Sequence, residues 1–272
     1  MYKQALEYKA KEDWDNYLIC LLESDEIEAN KELHLFYRDT KWKSKTNLTH
    51  ILPTIQKLID KNNNEAQYLL GYMYHYGIIV KENYEKAIHY YTLSANQGHS
   101  SGQNNLGYMY HYGLGIEQNY EKAIYYYTLS ANQGYASAQN NLGIMYYDGR
   151  RVEQNYEKAI HYFTLSANQG APNAQCSLGV LYHNGNGVEK NNEKAIHYYT
   201  LSANKGNPHA QNNLKLIPKI EKIKYYSKIE KEKLIIENEL LKKEVEELKT
   251  HIHAMPDGKL YIEAKSHYDN IR

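Results

Sequence analysis

The sequence is poor in cysteine, proline and phenylalanine, and it has neither a net charge nor a long apolar run. Its two cysteines, Cys20 and Cys176, lie too far apart for a disulfide framework or a metal-ligand spacing. A formal net charge of zero gives no reason to expect nucleic acid or an acidic membrane surface as a partner. Because no run of about 18 apolar residues occurs and no apolar signal segment follows Met1, we expect no membrane span and an intracellular, cytoplasmic location, in its own or a host cell.

Tyrosine is abundant, with 30 copies against 2 of phenylalanine, and much of it follows an internal repeat. The repeat has a step of 36 residues and shares a Leu-Gly pair, a tyrosine, a Lys-Ala pair and a closing glycine. The Leu-Gly pairs are Leu70-Gly71, Leu106-Gly107, Leu142-Gly143 and Leu178-Gly179.

Each repeat is predicted to form two helices. Gly107 lies inside the first helix, where glycine costs roughly 1 kcal/mol relative to alanine, so we expect the backbone of a neighbouring helix to approach it closely. Gly113 favours a left-handed stop, and Asn119 favours an N-cap for the second helix. One hairpin cannot bury its apolar stripe alone, which predicts stacking into a solenoid. Between the two helices, Gly115 has Ile79 and Arg151 as counterparts in two other repeats, and we expect those two loops to take a different turn.

The pattern Ala-x-x-x-Leu-Gly-x-x-Tyr-x-x-Gly-x-Gly-Val-x-x-Asn-x-x-Lys-Ala, from Ala174 to Ala195, resembles the Sel1-like repeat (SLR), a relative of the tetratricopeptide repeat. The resemblance implies an all-α, right-handed superhelical solenoid that binds other proteins. We place repeats at about 63–98, 99–134, 135–170 and 171–206, with a partial fifth at 207–217 that has Lys215 in place of glycine.

The flanks lack the motif. Residues 1–62 are interpreted as helical N-terminal caps or degenerate repeats, with an independent small domain as the alternative. Residues 218–254 are predicted to form a long helix, on which Ile220, Ile223, Tyr226 and Ile229 could cover the last repeat. Residues 255–272 are predicted to form a tail with a short helix that docks or caps.

A heptad pattern starts near Lys231 and predicts a parallel homodimer through residues 231–252. Its d positions are leucines and its a positions hold one asparagine, while Glu237 and Glu244 at g face Lys242 and Lys249 at e of the other strand. The alternative is a helix that folds back on the solenoid. The predicted dimerisation residues are Leu234, Asn238, Leu241, Val245, Leu248 and Ile252.

Catalytic and metal sites are not predicted. Histidines such as His89, His161 and His197 recur at one repeat position, but equivalent positions of stacked repeats lie about 8–10 Å apart. Zinc holds each of its ligands at about 2 Å, so these histidines do not suggest a shared metal. The basic stretch 219–233 contains glutamates and no arginine, so it is poorly suited to contact guanine bases or DNA phosphates. We predict no cofactor and no nucleic-acid partner.

In the tetratricopeptide relatives, the first helix of each repeat lines the concave groove that holds the ligand. The resemblance implies groove positions at fixed sequence distances from the Leu-Gly pair of each repeat. The residues at these positions are mostly aromatic side chains and amides, which suit a polypeptide without strong charge. The predicted groove residues are Tyr68, Tyr72, His75, Tyr76, Asn104, Tyr108, His111, Tyr112, Asn140, Ile144, Tyr147, Asp148, His183, Asn184 and Asn212. The alternative for each is packing between repeats.

The sequence therefore predicts a non-enzymatic adaptor or scaffold that binds a protein or peptide. Two alternatives remain. One is a hydrolase of the cysteine-rich repeat kind, which the scarcity of cysteine disfavours. The other is a purely structural dimer without a groove ligand.

Overall fold

A computed structural model describes residues 2–11, 16–17, 20–21, 24, 52–149 and 152–253. This part of the chain is helical and contains no strand. Its helices are α1 (Tyr2–Ala10), α2 (Leu52–Asp60), α3 (Asn64–Tyr76), α4 (Tyr84–Asn96), α5 (Ser100–Tyr112), α6 (Tyr120–Asn132), α7 (Ala136–Asp148), α8 (Tyr156–Asn168), α9 (Pro172–Asn184), α10 (Asn192–Asn204), α11 (Pro208–Leu216) and α12 (Lys219–His253).

The predicted asparagine N-cap of the second helix and the predicted glycine stop of the first helix are confirmed. Asn119 Oδ1 accepts a 2.9 Å bond from the Lys122 backbone N–H at the start of α6, which satisfies a donor that the helix itself leaves open. Gly113 ends α5 at φ 67°, a conformation that costs glycine nothing. The same asparagine and glycine caps bound the other complete repeats, so α3–α10 form four hairpins of equal length.

Within each hairpin the glycine of the Leu-Gly pair lies against an aromatic ring. A Cβ built on Gly107 would lie 2.8 Å from Tyr127 Cδ1 and 3.2 Å from the Ala123 carbonyl oxygen. Tyr127 and Ala123 are fully buried. The predicted close approach is confirmed, and most of the space that glycine leaves is taken by the ring rather than by the neighbouring backbone.

A glutamine on each first helix joins consecutive repeats. Gln103 Nε2 donates to the Ala95 carbonyl of the preceding repeat at 3.2 Å, and Gln103 Oε1 accepts from Gln133 Nε2 at 2.7 Å within its own repeat. Gln139 makes the same two bonds to Ala131 and Gln169. Because the same bonds recur in the second and third repeats, these hairpins stack with one geometry.

The expectation of a different turn at Ile79 is wrong. Ile79 has φ 67°, beside 66° for Gly115 and 68° for Gly187, so the first repeat keeps the backbone turn that glycine makes elsewhere. A β-branched residue is strained in this left-handed region. Its side chain is half-buried against the core of the first repeat, and this packing offsets part of the strain. Arg151 lies outside the described residues.

Both ends of the repeat array are covered by neighbouring chain. Ile55 and Leu58 of α2 belong to the same buried cluster as Ala66 and Leu69 of α3. At the other end α12 crosses α10, where Tyr225 is buried and its hydroxyl lies 3.0 Å from His197 Nδ1. Of the residues that the sequence placed on this covering face, Ile229 packs against the same cluster as Tyr225, and the Tyr226 hydroxyl lies 2.9 Å from Thr200 Oγ1 although its ring is largely exposed. Ile223 is exposed, and the side chain of Ile220 lies outside the described set.

Beyond this contact α12 extends alone. Its 35 residues span about 50 Å, and residues 230–250 are exposed apart from the half-buried Val245. In this part of the chain the helix does not fold back on the solenoid. None of the described helices is both long enough and apolar enough to cross a membrane.

Candidate functional site

The first helices α3, α5, α7, α9 and α11 lie side by side and form one face of the solenoid, which we call the groove face. Side chains on these helices and on the loop after α9 bridge neighbouring repeats across it. Asn141 Nδ2 donates to Asn104 Oδ1 at 3.1 Å, and Asn186 Nδ2 donates to the Tyr147 hydroxyl at 3.3 Å. The predicted groove residues therefore lie along one continuous row of helices.

Tyrosines dominate the first two repeats of this face. Tyr76 and Tyr112 are 52% and 53% exposed, and each packs on the tyrosine one turn before it, with ring centroids 4.5 Å apart. The earlier tyrosines, Tyr72 and Tyr108, are half-buried, whereas Tyr68 and Asn104 are buried. The exposure of these tyrosines thus increases along the helix, from the buried Tyr68 to the half-exposed Tyr76 and Tyr112.

Two predicted groove residues point inwards. His75 is buried, with Nδ1 3.2 Å from the Tyr91 hydroxyl, and His111 is buried with Nδ1 3.5 Å from the Tyr127 hydroxyl. Burial lowers the pKa of His75, against the opposing influence of Glu82, so the ring favours its neutral form. These histidines pack between the helices of their own hairpin and support the rings of Tyr76 and Tyr112, on which they stack at 4.2 and 4.4 Å.

The later repeats contribute fewer rings. Ile144, Tyr147 and His183 are half-buried, and Asn140 is buried. Three predicted residues are exposed at the open edge of the face: Asp148, Asn184 and Asn212. The aromatic character of the groove face is therefore concentrated in its first half.

A cavity of about 560 Å³ opens in that first half. One wall is Tyr68, Tyr72 and Tyr76, one helical turn apart on α3, and α5 supplies Asn104. The remaining lining comes from α5, the turn between the second and third repeats, the start of α7, and the cap residue after α8: Ser100, Asn105, Gln133, Gly134, Tyr135, Ala136, Ser137 and Gln169.

The cavity is uncharged. Among the residues that the structure describes, none that lines it is Asp, Glu, Lys, Arg or His. Burial, followed by the neighbouring Tyr72 phenol, raises the pKa of Tyr76 to about 12, and burial together with Tyr135 raises the pKa of Tyr72. These phenols stay protonated at physiological pH, so they offer neutral rings with hydroxyl groups that can donate or accept.

The sequence predicted four of the lining residues, Tyr68, Tyr72, Tyr76 and Asn104, and it missed three prominent ones. Gln133, Tyr135 and Gln169 lie at or beside the turns that end the second helices, whereas the family comparison considers only first helices. Only Tyr135 carries a signal in the sequence, because the residue after the closing glycine is tyrosine there and His99, Ala171 or Asn207 in the other repeats.

Groups suited to covalent or metal chemistry do not converge in the described part of the chain. No three His, Cys, Asp or Glu side chains there are placed to hold a metal ion. Cys176 is buried on α9, and burial raises the pKa of its thiol against an opposing contact from Asn213. A thiol held in its protonated form is a poor nucleophile.

The predicted dimerisation residues lie on the free part of α12. Leu234, Leu241 and Leu248 are exposed and follow one stripe of the helix with Asn238 and Val245. The side chain of Ile252 lies outside the described set.

Comparison with known proteins agrees with the repeat. The Sel1 repeat family model matches residues 64–99, 100–135, 136–170 and 172–207. A protective antigen from uropathogenic Escherichia coli that displays an SLR fold is 31% identical with a TM-score of 0.57; the match covers 60% of this chain and 35% of the antigen. A Sel1 repeat protein from Oxalobacter formigenes is 32% identical with a TM-score of 0.55, covering 66% of this chain and 69% of that protein. A search of curated proteins found no match.

The four matched repeats make up more than half of the chain and coincide with the four hairpins of the structure. The chain therefore belongs to the Sel1 repeat family, whose helical solenoids generally serve as protein-interaction scaffolds.

Proposed function

We propose that this chain is a non-enzymatic adaptor that binds a polypeptide on its groove face. The observation that carries the proposal is the uncharged cavity on the groove face, bounded by three tyrosines of α3 and by amide side chains. Tyrosine offers rigid contact area at low entropy cost, and amides can both donate to and accept from a peptide backbone. Such a surface favours a polypeptide segment without strong charge.

A hydrolase is the weaker alternative. It requires a nucleophile beside a base, and the thiol of Cys176 is buried with a raised pKa. A purely structural solenoid is the other alternative, and it gives no account of the uncharged cavity on the groove face. Tyr76 and Tyr112 expose half of their area on the same side.

The proposal includes a parallel homodimer through α12. Leu234, Leu241 and Leu248 at successive d positions expose apolar surface, and packing against a second copy would remove this surface from water. Glu237 and Glu244 would face Lys242 and Lys249 of the other strand, and Asn238 would pair with its own copy. Two joined solenoids would bind a bivalent partner with a higher avidity than either alone.

Affinity capture with exposed-tyrosine variants tests the adaptor. Full-length wild type, Tyr76→Ala/Tyr112→Ala and Tyr125→Ala would be incubated with lysate of the cells that produce the chain. Tyr125 is the matched control, because it is 59% exposed but lies on a second helix. We expect a polypeptide that wild type and Tyr125→Ala retain and the double variant loses.

Capture that is insensitive to the double variant would contradict the adaptor proposal. Thermal melts of all three proteins establish that the exposed substitutions leave the fold intact. A parallel screen of hydrolase substrates addresses the enzyme alternative: turnover abolished by one substitution would replace the adaptor with an enzyme.

A further inference from the structure

The long helix α12 packs on the solenoid through one side of its first half. Tyr225 is buried there, and Ile229 packs against the same cluster. Polar bonds accompany this packing, because Lys228 Nζ donates to Glu193 Oε2 at 2.9 Å and Glu221 Oε2 accepts at 2.7 Å from an asparagine amide at the start of α10. We call this side of α12 the docked side, and it is formed by Glu221, Tyr225, Lys228 and Ile229.

The heptad residues of the proposed coil lie on the opposite side of the same helix, which we call the seam side. Successive residues of an α-helix are rotated by about 100°, so Leu234 lies about 180° and Leu241 about 160° from Tyr225. All described heptad residues fall within about 40° of Leu234, whereas every docked-side residue lies about 120° or more away from it. The heptad residues are Leu234, Asn238, Leu241, Val245 and Leu248.

The seam side is open to solvent even where α12 runs beside the solenoid. Beyond the solenoid, Leu234 and Leu241 are 53% and 52% exposed. Ile223 belongs to the first half of α12 but lies within about 20° of the direction of Leu234, and it is 54% exposed. Ser227, on the same side, is also exposed. A second helix can therefore approach the seam side without displacing α12 from the solenoid.

The residues around the seam side favour a second copy of this chain as the occupant. Glu237 and Glu244 lie along one edge of the heptad residues. Lys242 and Lys249 lie along the other edge, so an identical parallel helix would bring opposite charges together. Asn238 also fits an identical helix, because two asparagines at this position can bond to each other. An apolar helix of another kind would leave that amide without a partner.

We propose that a second copy pairs with the seam side while both copies keep α12 docked, so that the two solenoids lie on opposite sides of the coil. The inference rests on the proposed homodimer and adds its arrangement. Because α12 is one continuous helix from Lys219 to His253, the rotation of each solenoid about the coil is set by the helix itself and not by a linker.

This arrangement defines the kind of partner that gains from the dimer. Each helix of the coil is about 10 Å in diameter, so the two solenoids are held about 20 Å or more apart. One binding segment then contacts one solenoid only. A partner with higher avidity for the dimer must carry two binding segments, joined by at least about six extended residues.

Insertions between the docked residues and the heptad residues test the arrangement in the full chain. Two alanines inserted after Lys231 rotate the seam side by about 200° relative to the solenoid. Both solenoids would then occupy the space in which the two copies pair, so we expect dimerisation to weaken by about tenfold or more. Four alanines at the same place return the seam side to within about 40° of its original direction. This longer insertion is the matched control and should dimerise like wild type.

Sedimentation equilibrium measures the mass of each protein, and thermal melts verify that each solenoid is folded. Equal dimerisation of the two insertion variants, or weaker dimerisation of the longer one, would overturn the opposite-side arrangement while the homodimer of wild type stands. A monomeric wild type would overturn the homodimer and, with it, this arrangement.

Discussion

Two side chains of the fourth repeat do not make the hydrogen bonds that residues at the same positions of earlier repeats make. Ser177 stands where Asn141 donates to the preceding repeat, and its hydroxyl bonds to the Asn173 carbonyl of its own helix instead. Lys205 stands where Gln97, Gln133 and Gln169 donate to a first-helix glutamine. As a result Asn140 Oδ1 and Gln175 Oε1 have no hydrogen-bond partner in the described part of the chain.

Restoring the glutamine should stabilise the fold. In Lys205→Gln the new amide can donate both to Gln175 Oε1 and to the Gly170 carbonyl, which Lys205 Nζ now contacts. Satisfying a buried acceptor contributes about 1 kcal/mol, so the melting temperature should rise by roughly 2–4 °C. The reverse change, Gln169→Lys, should lower it by a similar amount. An unchanged melting temperature in both variants would show that these amide bonds do not contribute to stability.

The substitution Gly107→Ala distinguishes packing from helix propensity, because the two effects change the stability in opposite directions. Propensity alone predicts stabilisation by about 1 kcal/mol, because alanine is the better helix former. The new methyl would lie 2.8 Å from the Tyr127 ring, however, and overpacking costs typically 1–3 kcal/mol. We therefore expect a net loss of stability in urea unfolding. A gain would mean that the ring of Tyr127 moves aside freely.

Burial of His75 should make the fold sensitive to acid. Its folded pKa lies below the unfolded value of about 6.5, so the unfolded state binds more protons below that pH. The stability that His75 contributes is complete above pH 6.5 and is lost as the pH falls below it. Between pH 7.5 and 5.5 the melting temperature of wild type should fall more than that of His75→Gln. The exposed His89 provides the control, and equal slopes for His75→Gln and wild type would refute the prediction.

At the scale of elements, capping chemistry made the hairpins predictable. The asparagine N-caps and left-handed glycines recur in the sequence itself, and each requires one particular backbone conformation. The turn at Ile79 was not predictable from its own residue type, because flanking packing imposes the conformation of its glycine counterparts. Both Tyr225 and Tyr226 reach α10, but only Tyr225 is buried. This difference depends on the angle at which α12 crosses α10, and the periodicity of the sequence does not contain that angle.

The candidate site was predictable in part for a similar reason. The distance from the Leu-Gly pair located Tyr68, Tyr72, Tyr76 and Asn104, which line the cavity. The same rule also selected His75, whose side chain is buried against Tyr91. Gln133 and Tyr135 reach the cavity from a turn, and this depends on how consecutive hairpins rotate against each other.

Adjacent leucines on α12 test the proposed coil. Leu241 and Leu240 are 52% and 58% exposed, but only Leu241 occupies a d position. Leu241→Glu should dissociate the dimer, because it places two carboxylates in the seam, whereas Leu240→Glu should leave it intact. Sedimentation equilibrium of the full chain measures both masses. A monomeric wild type, or equal effects of the two substitutions, would contradict the parallel dimer.

At the scale of the whole molecule, the solenoid separates two surfaces. Its first helices present uncharged rings and amides on the groove face, while α12 extends from the far end as a free amphipathic helix. Stacked hairpins hold the groove face in place because each repeat buries its stripe only against its neighbours. The proposed partner and the proposed second copy would therefore use different parts of the chain.

Site-specific photocrosslinking tests the central claim most directly. Tyr76→p-benzoylphenylalanine and Tyr125→p-benzoylphenylalanine place the same reactive ring on the groove face and on a second helix of the full chain. We predict that, after irradiation with the captured polypeptide, position 76 forms a covalent adduct and position 125 does not. Adducts from position 125 with none from position 76 would contradict binding on the groove face.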